Sequence, residues 1–150
     1  MYILLPPSEG KSPVPGKRSF RALCPDLAPD VQRVIDMLAG LSVTEQRALY
    51  GLKSEDKAAE AHAQNLGALD APCIPAIARY TGVVYHHLDF DTLSHKANAR
   101  KRILIVSALF GLIDGGTPIP PYKLSMTPWL TKYWRSRNSH RLGAIAGGKP

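Results

Sequence analysis

The run Ile103-Leu104-Ile105-Val106 constrains this chain more than any other segment. Four successive apolar residues, three of them β-branched, leave neither side of a strand polar. Both faces need cover, which is how the central strands of α/β proteins read. A second short run, Tyr2–Leu5, ends at Pro6-Pro7 and predicts a buried strand leading into a loop. That loop, residues 6–16, contains four prolines and two glycines, so it continues neither as helix nor as central strand.

Helices are expected between these strands. Val31, Val34, Ile35, Leu38 and Leu41 follow helical spacing, with Asp30 placed to cap the start. Ser42-Val43-Thr44-Glu45 reads as a capping box for a brief helix that Gly51 interrupts. Ser54-Glu55-Asp56 caps a third helix and sets two acids in its first turn. The result is a helix pair joined by Tyr50-Gly51-Leu52-Lys53. Residues 67–75 read as loop, 76–88 is ambiguous between helix and strand, and 115–122 is a Gly/Pro-rich connection. Trp129–Trp134 suggests a short amphipathic helix, and Ser136–Pro150 is expected to be loosely ordered. Two units follow: an α/β domain over residues 1–135, a mixed sheet with flanking helices, and a basic tail over 136–150.

With 150 residues and 45% apolar composition the chain can bury one core. No apolar run approaches the roughly 20 residues that cross a bilayer, and Met1–Leu5 lacks the basic start of a secretory leader. A cytoplasmic protein is expected, with Cys24 and Cys73 as reduced thiols. The net charge of +7 is uneven. Residues 1–90 hold nine Lys/Arg against ten Asp/Glu, whereas residues 91–150 hold ten against two. Such asymmetry favours a polyanionic partner, although a solvated basic face accounts for it equally well.

Individual motifs are weak alone. Gly10-Lys11-Ser12 imitates the end of a phosphate-binding loop, but Leu5 stands where its first glycine belongs, and Pro13 and Pro15 prevent the helix that must follow. Ser8, Glu9 and Lys11 form a polar corner beyond a strand end. His86, His87, Asp91 and His95 lack the spacing of metal ligands, so neither metal nor cofactor is expected. Ser107 ends the branched run, but Ile105 and Leu109 break the hydrolase pattern around it. The helix pair is similar to a DNA-binding helix-hairpin-helix, with Lys53 and Lys57 at the phosphate-contact positions and Glu55, Asp56 and Glu60 opposing.

Taken in order, MYILLPPSEGK at the start, LSVTEQRALYGLKSEDKAA over residues 41–59, RYTGVVYHHL over 79–88 and IVSALFGLIDGGTPIPPYKLSM over 105–126 resemble the YaaA family of peroxide stress proteins. LTKYW over 130–134 is similar to the segment that follows. The resemblance runs from Met1 to about Arg135, and members continue beyond that point, so a C-terminally shortened member is expected. It implies an α/β fold with a positively charged cleft and a helix-hairpin-helix-like element, DNA binding, and a part in limiting free intracellular iron during peroxide stress. No settled reaction comes with it. The family's positions fall here on Ser8, Lys11, Lys53, Ser54, Lys57, Tyr80, Thr81, Gly82, Tyr85, Ser107, Gly111, Pro120, Tyr122, Lys123, Leu124 and Met126.

The leading expectation is a protein that binds the DNA backbone through Lys53, Ser54 and Lys57, with Lys11, Lys123 and Arg135 around the cleft. The alternative is an enzyme for a small anionic substrate, with Ser8, Glu9, Lys11, Tyr80, Ser107, Tyr122 and Lys123 as candidate catalytic groups. A third is an inactive remnant.

Overall fold

The branched run becomes β3, Ile103–Ser107, the middle strand of a three-stranded sheet. In this computed structural model residues 1–147 are described. On one side β3 pairs in parallel with β1, Ile3–Leu5, bringing Leu5 beside Ile105. On the other it pairs antiparallel with β4, Gly111–Asp114, so that Ser107 faces Gly111 across a tight turn. Because β1 and β3 run the same way, the loops after Leu5 and after Ser107 leave the sheet at the same end. That shared exit places the site described below.

Between β1 and β3 come the helices. A single turn, α1, spans Phe20–Leu23, followed by α2, Ala28–Ala39. The helix α2 starts before Asp30, with Pro29 in its first turn, so Asp30 lies inside it rather than capping it. Val31, Val34, Ile35 and Leu38 are buried as their spacing predicts. The pair α3, Val43–Tyr50, and α4, Glu55–Leu66, forms as expected. The Ser42 hydroxyl accepts from the Glu45 amide at 3.2 Å while the Glu45 carboxylate accepts from the Ser42 amide at 3.1 Å. Gly51 closes α3 at φ 65°.

The expected loop at 67–75 contains a 3-10 turn at Ala68–Asp70 and a two-residue strand β2, Ile74–Pro75. The ambiguous 76–88 segment resolves into two short helices, α5 at Ala76–Arg79 and α6 at Val83–Leu88. A further helix, α7, Lys96–Arg102, places the basic triplet at its electronegative C-terminal end. The Gly/Pro stretch includes β5, Pro118–Ile119, paired antiparallel with β2.

Two further expectations are corrected. The first strand forms but is not buried: Leu4 is 66% exposed and Ile3 42%. It sits at the sheet's edge, and its outer side meets no further strand among the described residues. The second correction concerns the last segment. Instead of a six-residue helix and a loose tail, α8 runs from Pro128 to Ala146. Its first half buries Leu130 and Trp134. Its second half is held by polar contacts, which leave no trace in hydrophobic periodicity. Arg137 and Arg141 pair with Asp30 of α2 at 3.4 and 3.2 Å. The Asn138 carboxamide oxygen accepts from the Leu112 amide, and Arg141 donates to the carbonyls of Phe110 and Leu112. These side chains satisfy the free edge of β4, as a paired strand would otherwise do. Of the proposed tail, residues 148–150 lie outside the described residues.

Candidate functional site

The first loop is laced to the segment after α5. Ser8 Oγ donates to the Gly10 carbonyl at 2.6 Å and accepts from the Thr81 amide at 3.1 Å. The Ser12 amide donates to the Arg79 carbonyl at 2.7 Å, and Lys11 and Tyr80 form an isolated β-bridge. A methyl group on Gly10 would come within 2.6 Å of Thr81 Oγ1, so any larger residue there would displace the Thr81 hydroxyl. This lacing turns Lys11 inward. Its Nζ donates to the carbonyls of Ser8 and Glu9 at 3.0 and 3.1 Å and lies 4.3 Å from the centre of the Tyr122 ring.

Ser8, Glu9 and Lys11 here form one wall of a cleft of about 140 Å³. Tyr122, Lys123 and Met126 form the opposite wall, Tyr50 from the end of α3 closes one side, and Ala108 marks the exit of β3. The cleft therefore opens at the carboxyl ends of the two parallel strands, where α/β folds commonly hold ligands. Behind it lies a buried row of hydroxyls. Ser107 Oγ accepts from the amides of Leu109 and Phe110 and donates to the Tyr122 hydroxyl at 2.9 Å. Tyr122 and Tyr80 share a hydrogen bond of 2.5 Å between their hydroxyls. Ser107 is thus bound by two amides and a phenol.

The electrostatics follow from burial and charge. Desolvation, reinforced by the nearby Lys123 ammonium and opposed by Glu9, lowers the Lys11 pKa to about 8. Burial pushes Tyr80 well above the usual phenol range, with Tyr122 beside it adding to the shift. Tyr122 is raised by burial against the opposing hydrogen bonds of Ser107 and Tyr80. Both phenols stay protonated near neutrality, so the row behind the cleft is a neutral hydrogen-bonding floor beneath a tunable amine.

The expected residues separate into three groups. Ser8, Glu9, Lys11, Tyr122 and Lys123 line the cleft, while Tyr80 and Ser107 support it from behind. Lys57 lines an adjoining depression of about 340 Å³ with Glu60, and Lys123 borders both depressions. Ser54 is the N-cap of α4, accepting from the Lys57 amide, and Lys53 is exposed in the turn. Arg135 is exposed on α8 and lines neither depression. Of the basic residues beyond position 90, Lys123 is the one that reaches them. Others have structural roles: Arg137 and Arg141 in the Asp30 pairs, and Arg102 donating to the Met1 carbonyl.

Sequence reading missed Asn65 and Arg79. Asn65, fully buried on α4, accepts from the Lys123 amide at 2.8 Å and donates to the Lys123 carbonyl at 2.7 Å. The one available signal was a polar residue continuing the buried Ala58–Ala61 face of that helix. Arg79, equally buried, holds the carbonyls of Ser12 and Val14 and so ties down the end of the first loop.

These features define an α/β protein whose parallel strand ends carry a lysine-lined, tyrosine-floored cleft next to a helix pair. A family model described as peroxide stress protein YaaA matches residues 1–144, and the chain belongs to that family. The match extends into the segment beyond Arg135, in keeping with α8. The chain is 41% identical to a UPF0246 protein of Corynebacterium glutamicum over 128 residues, 83% of this chain and 51% of that one. A UPF0246 protein of Streptomyces coelicolor is 33% identical over 162 aligned positions, covering 98% of this chain and 61% of its own length. A UPF0246 protein of Streptococcus pneumoniae is 31% identical over 119 residues, covering 76% and 48%. The chain spans about half the length of most of these relatives. No helix among the described residues is long and apolar enough to cross a membrane.

Proposed function

We propose that the chain acts in the cytoplasm as a peroxide stress protein that binds the DNA backbone non-specifically, and that limiting free iron is its cellular consequence. The observation that carries this reading is the position of Lys123. It borders the depression next to Lys57 and the cleft next to Lys11, so cations run from the helix pair to the first loop. Lys53 in the turn extends the run. The hairpin differs from a glycine-rich phosphate clamp, because the Gly51 and Leu52 amides donate to carbonyls of α3. Phosphate contact in this reading falls to the lysines and not to the hairpin backbone. Arg135, exposed on α8, lines neither depression and in this reading contributes long-range charge.

Fluorescence anisotropy with a salt titration tests the assignment. Each lysine contact removed lowers the slope of log K against log salt by about one unit. A Lys53→Glu/Lys57→Glu variant that binds duplex DNA like wild type sinks the role of the helix pair.

A second reading rests on a different observation. Ser8, Glu9, Lys11, Tyr122 and Lys123 converge on one small cleft, as an enzyme for a small anionic substrate requires. In this reading Lys123 and Lys11 hold the anion, and Lys11, with its lowered pKa, moves a proton. Phosphate-sized anions that compete with DNA only through Lys11 and Lys123, and not through Lys57, would favour it.

A further inference from the structure

The Arg79 guanidinium is enclosed, with 1% of the residue exposed. Nε donates to the Ile119 carbonyl at 3.1 Å, and Nη1 donates to those of Ser12 and Val14 at 2.7 and 2.8 Å. Nη2 has no acceptor. Among the described residues no carboxylate pairs with this cation; the ion pairs all involve other basic side chains. The neighbouring Cys73 thiol supplies no countercharge either, since burial pushes it up to about 12 and keeps it neutral. A buried cation held by carbonyl dipoles alone, with one nitrogen unpaired, is an unfavourable arrangement unless an anion completes it.

The same residue borders a groove of about 350 Å³ whose other walls include Pro13, Pro15, Gln64, Pro72 and Pro121. The groove shares no lining residue with the lysine cleft. Its walls are mostly apolar, with the exposed Gln64 carboxamide the one other polar side chain beside this cation. A mostly apolar groove with a single unmatched positive charge selects a ligand with the complementary pattern: one negative group on a hydrocarbon body, with room for a hydrogen bond from the Gln64 carboxamide. A phosphate or sulfate would satisfy the charge but leave the proline walls uncovered. A neutral apolar molecule would cover the walls and leave Nη2 as it is.

We propose that this groove binds a small apolar carboxylate, its carboxylate seated on Arg79 and its body against the proline walls. Arg79 also clamps three backbone carbonyls, so replacing it tests folding before it tests binding. Ala71, which lines the same groove and is not part of that clamp, is the better position.

The experiment titrates the whole chain with benzoate, benzyl alcohol and inorganic phosphate, following the side-chain ¹⁵N–¹H signals of Arg79 and the heat of binding. Benzoate is expected to shift the Arg79 signals saturably and to bind about tenfold or more tighter than benzyl alcohol, as a charge-assisted hydrogen bond replaces a neutral one. Ala71→Trp, which fills the groove, is expected to weaken benzoate by about tenfold or more while inorganic phosphate still titrates the Lys11 and Lys123 cleft. The proposal is overturned if benzoate gives no saturable shift, or if benzyl alcohol binds equally well. It is also overturned if Ala71→Trp binds benzoate like wild type. A persistent cross-peak between the Arg79 Nη protons and water, unchanged by benzoate, would identify a buried water as the acceptor and likewise overturn it.

Discussion

Asn65 and Lys123 meet through both polar groups of the Lys123 peptide: the Asn65 carboxamide accepts its N–H at 2.8 Å and donates to its C=O at 2.7 Å. A side chain on α4 thereby fixes the backbone of the loop that carries the cleft's second lysine. The helix pair and the cleft are one mechanical unit, although 58 positions separate the two residues.

Removing that clamp tests the unit. Asn65→Ala leaves the Lys123 amide and carbonyl unpaired in a part-buried setting, a loss of about 1–3 kcal/mol in urea denaturation. Asn65→Asp keeps the acceptor but sets a carboxylate oxygen against the Lys123 carbonyl, so it is expected to be no more stable than Asn65→Ala at neutral pH. Both variants should weaken anion binding at Lys123 more than at Lys53. Equal stability for wild type and Asn65→Ala would show that this clamp does not hold the Lys123 backbone.

Lys11 gives a pH dependence with a definite sign. In the unfolded chain it keeps its ordinary value of 10.5, while in the fold it titrates at about 8. Between those values the unfolded state binds more protons, so stability rises with pH through that window. Below about 8 both states are protonated and the cost of burying the ammonium is present in full. Anion binding runs the opposite way: affinity at the cleft should fall as pH rises through about 8, where the charge is lost. Lys11→Arg, always cationic, should flatten that profile. A wild-type profile flat between about pH 7 and 9 would contradict the role of Lys11.

The parts of this molecule legible in the sequence were those with local causes. The branched run, the capping box at Ser42 and Glu45, the Ser54 cap and the turn at Gly51 each depend on neighbours within a few residues. The α/β class followed from the strand and helix patterns together with the ordered motifs. What stayed hidden depends on distant partners. The exposed position of Ile3 and Leu4 is a property of strand order, and the same residues would be buried under a further strand. The second half of α8 has no apolar stripe, since Asp30 and the edge of β4 anchor it through Arg137, Asn138 and Arg141. Of the ten basic residues after position 90, Arg137 and Arg141 form these internal contacts. Charge counts cannot separate an arginine that meets solvent from one that finishes a strand edge.

At Gly111 the backbone of β4 lies close against the side chains of α8. Its φ of 73° lies in the left-handed region, and an added methyl group would come within 2.6 Å of Trp134 and Arg141. Gly111→Ala therefore combines backbone strain with overpacking, together about 2–5 kcal/mol, and should lower the thermal midpoint sharply. Gly51→Ala is the control, because its Cβ meets nothing within 4 Å although its φ of 65° is similarly left-handed. It should show only the backbone part, about 1–2 kcal/mol.

Asp30 decides whether the end of α8 is part of the fold. Its carboxylate receives Arg137 at 3.4 Å and Arg141 at 3.2 Å, and the Arg141 side chain is only 11% exposed. Asp30→Ala leaves a nearly enclosed guanidinium without its anion. The pairs are partly solvated, so the expected loss is modest, about 1–2 kcal/mol. The sharper readout is local: amide exchange from Arg137 to Ala146 should accelerate well beyond that of Leu130 to Trp134, whose apolar side chains anchor the first half independently. Because Arg141 also donates to the carbonyls of Phe110 and Leu112, exchange in β4 should rise with it. If the amides of α8 exchange at wild-type rates in Asp30→Ala, the ion pairs do not hold the helix, and the hydrogen bonds of Asn138 and Arg141 to the β4 edge suffice without them.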